Sequence, residues 1–247
     1  GVLYACISPG ARNSPLTYAF TSHTNITCYS HIDERSSSFF GLGLAKSSNK
    51  PVVIFSTSGT AVANFLPAVI EASLGRVPII ILSADRPEYL ISTGANQTIN
   101  QQKLFGNHVR YFKDIGLPSK NIDSLGNILE ETMSFAIGGD YKLPPGPVHL
   151  NVPFDEPLFI DSVEKNKPKI FSISRLKWNK PAENRIFILD KANKPLIVVG
   201  PMENNQHQND IISFSDKIQA PILADPLSQI RYGYSSTKIT AHYDHFL

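Results

Sequence analysis

Short runs of β-branched and other apolar residues recur along this chain, with segments of helix length between them. The runs predict buried strands of a parallel sheet at residues 4–8, 26–30, 52–56, 79–83 and 148–152. The intervening segments show helical apolar periodicity at residues 13–22, 36–46, 61–74 and 124–137, the last with Ser124 as its predicted N-cap. Because parallel strands need helical crossovers, this alternation predicts an α/β fold with a doubly wound, mostly parallel sheet.

The composition and periodicity of the sequence change after about residue 160, and 247 residues are enough for two modest domains. Residues 161–184 are rich in Lys, Asn, Ser and Pro without a clear period, which predicts a linker. We therefore expect one α/β domain over residues 1–160 and a partial second one over residues 185–247. The second domain is predicted from strand, helix and strand patterns at residues 195–200, 210–219 and 221–224.

The composition excludes several classes of protein. Lys and Arg number 23 against 21 Asp and Glu, and only 18% of residues are charged, which argues against a nucleic-acid binder or an acidic tail. The longest apolar runs, such as residues 77–82, fall far short of the ~20 residues that span a bilayer. Cys6 and Cys28 are too few for a disulfide framework, and the N-terminus enters a strand pattern without a signal peptide. We expect a globular, cytoplasmic protein whose chain begins within a domain.

Polar residues follow the ends of the predicted strands. In open α/β sheets, ligands bind outside the carboxyl ends of the strands, so these residues are the candidates for a site. Arg12 and Arg86 follow the first and fourth strands, and their planar guanidinium groups suit a carboxylate or phosphate. The alternative is that they are surface arginines paired with nearby acids, as Arg86 would be with Asp85 or Glu88.

The turn at residues 57–60 connects the third strand to a helix. Its backbone N–H groups at Ser58, Gly59 and Thr60 could approach an anion or a flat ring closely. The turn lacks the spacing of the known phosphate-binding loops. The alternative is a tight turn in which Ser58 or Thr60 serves only as the helix N-cap.

Glu34 lies between an apolar strand and a helix that carries Phe39, Phe40 and Leu42. A partly solvated carboxyl group at this place could exchange a proton near neutral pH. The alternative is an acid at a helix N-terminus that the helix dipole stabilises. The histidines and cysteines have no metal-binding spacing, so no metal site of the chain's own is predicted. From these patterns alone, the chain is an α/β protein that binds a small anionic ligand at the strand ends.

Five of these segments together resemble a known family. They are SPGARNSPL from residue 8, HIDER from residue 31, TSGTAVAN from residue 57, LSADRP from residue 82 and GANQ from residue 94. They resemble the amino-terminal, pyrimidine-binding domain of the 2-succinyl-5-enolpyruvyl-6-hydroxy-3-cyclohexene-1-carboxylate synthases, thiamine-diphosphate-dependent enzymes of menaquinone biosynthesis. The resemblance implies that residues 1–160 form this domain without its first helix, and that residues 185–247 begin the central domain.

The resemblance also implies an activity. Enzymes of this family are transferases that decarboxylate 2-oxoglutarate on thiamine diphosphate and add the succinyl-semialdehyde carbanion to isochorismate. Mg²⁺ or Mn²⁺ is implied as well, held with the diphosphate mainly by a C-terminal domain outside this chain. Gly139-Asp140-Tyr141 lacks the second glycine of the family's diphosphate motif, and Asn204-Asn205 lies too far from it to complete that motif. The chain alone is therefore expected to be inactive.

Roles for single residues follow from their positions in the matching segments. The resemblance implies that Glu34 is catalytic and bonds the aminopyrimidine ring, and that Arg12 and Arg86 bind substrate carboxylates. Asn96 and Gln97 are implied to face the substrate. The cofactor-binding residues implied beside Glu34 are Ser58, Gly59, Thr60 and Asn64. A homodimer or a dimer of dimers with a shared active site is also implied, with no nucleic-acid or membrane partner.

Two other functions stay open at this point. One is a different thiamine-dependent 2-oxo acid decarboxylase or an acetolactate-type synthase, against which the pair Arg12 and Arg86 argues because those substrates lack the additional carboxylates. The other is a non-catalytic α/β binding module that has kept the fold without the chemistry.

Overall fold

The computed structural model describes residues 1–117, 122–138, 143–159, 194–202, 207–233 and 238–245. The chain divides into two compact units, Gly1–Pro181 and Ala182–Leu247. The predicted linker at residues 161–184 lies outside the described residues, as do Gly139-Asp140-Tyr141 and Asn204-Asn205. The domain limits therefore stay predictions.

Strands and helices alternate through the first unit, and the predicted α/β fold is confirmed. The strands are β1 (Tyr4–Ile7), β2 (Thr27–Ser30), β3 (Val52–Ser56), β4 (Ile79–Asp85), β5 (Tyr111–Asp114) and β6 (Val148–Pro153). The helices are α1 (Ser14–Thr21), α2 (Glu34–Ser48), α3 (Thr60–Ala63), α4 (Leu66–Leu74) and α5 (Ile122–Ile137), with single 3-10 turns at Glu88–Leu90 and Gly106–His108.

All six strands form one parallel sheet in the order β2-β1-β3-β4-β6-β5. Cys6 lies opposite Tyr29 of β2 and Ile54 of β3, which fixes the register at the centre. The chain runs outward from β1 to β2 and then returns to the other side of β1 with β3. This reversal creates a crevice at the carboxyl ends of β1 and β3, the usual ligand site of such sheets.

Both faces of the sheet are buried, as a doubly wound fold requires. Alternate residues along each strand point to opposite faces, so Ile54 belongs to one core cluster and Phe55 to the other. The first cluster includes Leu42 of α2 and Val69 of α4, and the second includes Ala136 of α5. Because both faces of each central strand are buried, most residues of these strands are apolar.

Three details differ from the sequence prediction. The predicted helix at residues 61–74 is two helices, because Pro67 suits only the first turn of α4 and cannot continue α3. Helix α5 begins at Ile122, so Ser124 lies within its first turn and its prediction as the N-cap is wrong. Strand β5 has no counterpart among the predicted strands, because its residues are only partly buried and form no apolar run.

The second unit has the predicted order of strand, helix and strand, followed by one more short strand. The elements are β7 (Ile197–Val199), α6 (Gln208–Ile218), β8 (Ile222–Ala224) and β9 (Ile239–Thr240), with a 3-10 turn at Tyr243–His245. The strands pair in parallel in the order β7-β8-β9 around a small core of Val199, Ile222, Ala224 and Ile230. Among the described residues, no helix has both the length and the apolar character needed to cross a membrane.

His149 in β6 is completely buried between the rings of Phe105 and Phe112. Its Nε2 lies 2.7 Å from the Ser83 hydroxyl, which donates its one hydrogen to Asn151 Oδ1 over 2.8 Å. Nε2 therefore carries the ring proton and donates to Ser83. Burial lowers the pKa of His149 to about 3, so the imidazole is neutral in the folded protein at pH 7.

Leu150→Ala tests the central position of β6 in the core. Leu150 is 2% exposed, and truncating it leaves a cavity in the second core cluster. We expect the free energy of unfolding in urea to fall by about 2–5 kcal/mol. The matched control is Leu74→Ala, at a residue that is 75% exposed, where a change within about 0.5 kcal/mol is expected. Equal losses in both variants would contradict the assignment of β6 to the core.

His149 also predicts a pH dependence of stability. Its pKa is about 3 in the folded protein, against an ordinary value of 6.5, so between these values the unfolded chain binds a proton that the folded chain does not. Stability is then lost as the pH falls through 6.5, by about 2 kcal/mol between pH 7 and pH 5 for this one group. His149→Gln removes the titration and keeps a donor for Ser83. The free energy of unfolding is measured against pH for both proteins, and the difference between the two profiles gives the contribution of His149. If the variant shows the same pH dependence as the wild type, a neutral buried His149 is contradicted.

Candidate functional site

Arg12 follows β1 at the crevice of the sheet and is only 7% exposed. Its Nη1 donates to the carbonyl oxygen of Phe154 over 2.9 Å, and its Nη2 lies 3.2 Å from Glu156 Oε1. The Glu156 side chain is 72% exposed, so this ion pair is weak and open to exchange. The buried Nε of Arg12 has no hydrogen-bond partner among the described residues. The predicted arginine is thus held by a backbone carbonyl on one side and faces a carboxylate on the other.

Arg86 follows β4 and connects two other predicted segments. Its Nη1 donates to the Ser58 hydroxyl and, over 2.8 Å, to the carbonyl oxygen of Gln97. Its backbone N–H donates to Asp85 Oδ1 over 2.7 Å. Within the described part of the chain, no ion pair joins its guanidinium to Asp85 or Glu88, so the alternative of a surface pair is wrong for this residue.

The charges of the two arginines act on each other. Burial lowers the pKa of Arg86, and the positive charge of Arg12 lowers it further. Two guanidinium groups at the same edge of the sheet favour a ligand with more than one negative charge, because each group stabilises the anion that the other attracts.

Glu34 is the first residue of α2 and is half-buried. Its position in the first turn agrees with the alternative of an acid that the helix dipole stabilises, and that alternative stays open. The helix is capped by the neighbouring Asp33, whose Oδ1 accepts from the Ser36 N–H over 2.7 Å. This hydrogen bond lowers the pKa of Asp33. Glu34 Oε2 accepts from Asn64 Nδ2 over 3.1 Å. The structure therefore brings together two of the predicted cofactor residues from the ends of β2 and β3.

The turn after β3 has a different construction from the predicted one. Gly59 is the N-cap of α3, so the alternative of Ser58 or Thr60 in that position is wrong. Gly59 has a φ of 82°, and a Cβ there would lie 2.8 Å from the side chain of Gln97, so only glycine fits. Its N–H donates over 2.8 Å to Gln101 Oε1 and is therefore not free to bind an anion.

The remaining candidates are exposed at the same place. Asn96 and Gln97 lie in the loop after β4, and the backbone of Gln97 has a left-handed φ of 56°. Thr60 is exposed at the start of α3. In the described segments, no side-chain hydrogen bond joins Thr60 or Asn96 to another candidate residue. The side chains of both residues are exposed, and the Asn96 backbone carbonyl accepts from the Thr98 hydroxyl over 3.1 Å.

A buried polar network supports these residues, and the sequence patterns do not predict it. Asn151 Nδ2 donates to Asp85 Oδ2 and to Asp114 Oδ2, each over 2.9 Å. Asn151 Oδ1 accepts from Gln101 Nε2 over 2.9 Å as well as from Ser83. Burial raises the pKa of Asp85. A polar residue within the apolar run of β6 is a signal for Asn151, whereas nothing in the sequence distinguishes Gln101.

The donors and acceptors at this edge fit a nitrogen-rich aromatic ring and carboxylate substrates. In the described residues, the Glu34 carboxylate has only the bond from Asn64, and the buried Ser8 Oγ and His31 Nδ1 have no partner. A carboxyl group with a free oxygen donates a hydrogen bond to a ring nitrogen when it is protonated. When it is ionised, it accepts a hydrogen bond from a ring N–H group. The described residues contain no cluster of three or more His, Cys, Asp or Glu that could hold a metal ion.

Comparisons with known proteins show which sequences and folds this chain is similar to. Residues 1–104 match the family described as "Thiamine pyrophosphate enzyme, N-terminal TPP binding domain". The fold is similar to that of a benzoylformate decarboxylase from Polynucleobacter necessarius, with a TM-score of 0.65 and 21% identity, over 91% of this chain and 41% of that one. This likeness shows the fold.

The sequence relatives carry one name. The chain is 40% identical to the 2-succinyl-5-enolpyruvyl-6-hydroxy-3-cyclohexene-1-carboxylate synthase of Chlorobium phaeobacteroides, over 94% of this chain and 42% of that protein. It is 41% identical to the enzyme of the same name from Bacillus velezensis and 42% identical to that of Haloquadratum walsbyi, over the whole of this chain and 44% and 43% of theirs. The chain thus spans less than half the length of these relatives. It is a relative of the 2-succinyl-5-enolpyruvyl-6-hydroxy-3-cyclohexene-1-carboxylate synthases that matches the N-terminal portion of their length, and the resemblance seen in its sequence is confirmed.

Proposed function

We propose that this chain is the pyrimidine-binding part of a thiamine-diphosphate-dependent transferase. The whole protein would decarboxylate 2-oxoglutarate and join the remaining four-carbon unit to isochorismate, giving 2-succinyl-5-enolpyruvyl-6-hydroxy-3-cyclohexene-1-carboxylate. The observation that carries the proposal is the placement of two arginines beside the crevice of the sheet: Arg12 follows β1 and faces Glu156, and Arg86 follows β4 and bonds the Ser58 hydroxyl and the Gln97 carbonyl. Both proposed substrates are dianions, and an acetolactate-type synthase has no second carboxylate to place there.

Glu34 is the proposed catalytic residue. When bound, thiamine diphosphate would supply the carbon nucleophile and the electron sink that decarboxylation of a 2-oxo acid requires. Glu34 would exchange a proton with a ring nitrogen of the aminopyrimidine and so shift the ring toward the form that can take up the thiazolium proton. Its half-buried carboxylate and the hydrogen bond that it accepts from Asn64 support this role.

The other candidates divide into two groups. Ser58, Gly59, Thr60 and Asn64 would line the place of the pyrimidine ring, and Asn64 would also orient the Glu34 carboxylate. Arg12 and Arg86 would bind substrate carboxylates, and the exposed side chains of Asn96 and Gln97 would supply further polar contacts to the substrate. The bond between Arg86 and the Gln97 carbonyl supports a common place for these last residues.

Several parts of this proposal concern the rest of the protein. The diphosphate and its Mg²⁺ or Mn²⁺ would be held mainly by sequence beyond this chain, in a cytoplasmic dimer or dimer of dimers. Exposed apolar side chains next to Glu34 support a partner subunit there: Ile32 is 92% exposed, Phe39 42% and Phe40 40%. Surfaces of this kind commonly mark protein interfaces.

Arg86→Ala in the full-length protein tests the substrate site. Loss of a charge-assisted hydrogen bond is worth about 1.5–3 kcal/mol, so we expect KM for isochorismate to rise by roughly 10- to 100-fold. Arg76→Ala is the matched control, because this exposed arginine precedes β4 at the opposite end of the strand. Isochorismate kinetics unchanged by Arg86→Ala would refute the assignment, and turnover with pyruvate in place of 2-oxoglutarate would favour an acetolactate-type synthase.

Glu34→Gln tests the proton transfer. A positioned general acid or base contributes about 100- to 10,000-fold, so the variant's exchange of the cofactor C2 proton, followed by NMR in deuterated buffer, is expected to slow by at least 100-fold. Glu71→Gln on the exposed side of α4 is the control and is expected to exchange as the wild type does. Wild-type exchange in Glu34→Gln would remove Glu34 from the mechanism.

A further inference from the structure

Gln101 is completely buried and uses its whole side-chain amide within the protein. Oε1 accepts from the Gly59 N–H over 2.8 Å. Nε2 donates to the carbonyl oxygen of Ala84 over 3.2 Å and to Asn151 Oδ1 over 2.9 Å. One side chain thus joins the turn after β3, the end of β4 and the middle of β6. Because it is buried, it cannot touch a substrate.

The segments that Gln101 joins are those that carry the proposed site. Gly59 is in direct contact with Gln97, and Arg86 bonds both Ser58 and the Gln97 carbonyl. The loop after β4, with Gln97, and the turn after β3, with Ser58 and Gly59, are therefore connected twice. Arg86 connects them at the edge of the sheet, and Gln101 connects them inside the protein. The connection at the edge is exposed, and a ligand that binds Arg86 would compete with it. The connection inside is not exposed to such competition.

Gln101 is also linked to Arg86 through the buried network. Asn151 accepts from Gln101 and donates to Asp85 Oδ2, and the other oxygen of Asp85 accepts from the Arg86 backbone N–H. Every polar atom of the Asn151 amide is bonded in this way, because Asp114 and Ser83 supply the remaining partners. A fully satisfied buried network of this kind favours a single arrangement of its members.

We propose that Gln101 is a positioning residue of the active site. It holds the turn with Ser58 and Gly59, and the loop with Asn96 and Gln97, in the positions where Arg86 can act with them. It thereby determines the affinity for the acceptor substrate without contact to it. This role rests on the proposed function, since it deepens the account of the same site.

Gln101→Met tests the proposal in the full-length protein, because methionine keeps the approximate shape and removes all three hydrogen bonds. We expect KM for isochorismate to rise by about tenfold, while C2 proton exchange at saturating thiamine diphosphate, which depends on Glu34, stays at the wild-type rate. The matched control is Thr132→Ala. It removes a hydrogen bond from the buried Thr132 hydroxyl to the Ile128 carbonyl oxygen within α5, and none of the bonds of Gly59, Asn151 or Arg86.

Thr132→Ala is expected to lower the melting temperature and to leave KM unchanged. If the two variants lose stability alike and both keep the wild-type KM, Gln101 is merely structural and the proposal is overturned. A rise of KM in Gln101→Met alone supports it.

Amide hydrogen exchange of the unliganded wild type gives a test that does not need the variant to fold. The Gly59 N–H is expected to be protected well beyond the exposed N–H of Thr60, because its acceptor is the buried Gln101 side chain. Exchange of Gly59 at the rate of an exposed amide overturns the proposal. The two hypotheses can fail separately: absence of turnover with isochorismate and 2-oxoglutarate in the wild type refutes the proposed function, whereas an unprotected Gly59 N–H refutes the positioning role alone.

Discussion

The side-chain amide of Asn151 is the contact on which the carboxyl edge of the sheet depends. At the carboxyl ends of parallel strands the hydrogen-bonded ladder stops, and polar groups there need other partners. Here β4, β5 and the loop with Gln101 each bond the side chain of Asn151 in β6. Its two donors bond Asp85 of β4 and Asp114 of β5, and its carbonyl accepts from Ser83 and Gln101. Four bonds from one buried amide compensate for removing these polar groups from water, which would otherwise cost about 1–3 kcal/mol for each group left unpaired.

This arrangement explains how a site with two arginines can form on an otherwise ordinary α/β scaffold. The parallel sheet places the ends of β1, β3 and β4 side by side, and the reversal between β1 and β3 opens the crevice. Asp85 is held by Asn151 and in turn holds the backbone of Arg86, so the arginine extends from a fixed point. Arg12 is likewise fixed by the Phe154 carbonyl after β6. Buried hydrogen bonds thus fix the geometry of the site, and the guanidinium groups of Arg12 and Arg86 give it its positive charge.

The fold could be predicted because it depends on burial, which leaves a pattern in the sequence. Strands such as β3 and β4, covered on both faces, are continuous apolar runs, whereas β5 at the sheet edge is only partly buried and has no such run. The arginines and Glu34 could be proposed from their positions after strands. Gln101 could not, because nothing local distinguishes a loop glutamine that turns inward from one that faces solvent. The use of the Gly59 N–H differs from the prediction for the same reason: its acceptor lies 42 positions away in the chain.

The contact between Arg12 and Glu156 has a consequence for selectivity among ligands. The guanidinium is already withdrawn from water and already faces a carboxylate, so a bound carboxylate would replace one partner with another. Such an exchange returns the Glu156 carboxylate to solvent, where its 72% exposure shows that it is mostly hydrated already. A neutral ligand of the same shape would have to separate Arg12 from Glu156 and would place no negative charge beside the guanidinium. In the proposed site, Arg12 would therefore favour a negatively charged ligand, since only such a ligand could take the place of Glu156 without leaving a buried cation unpaired.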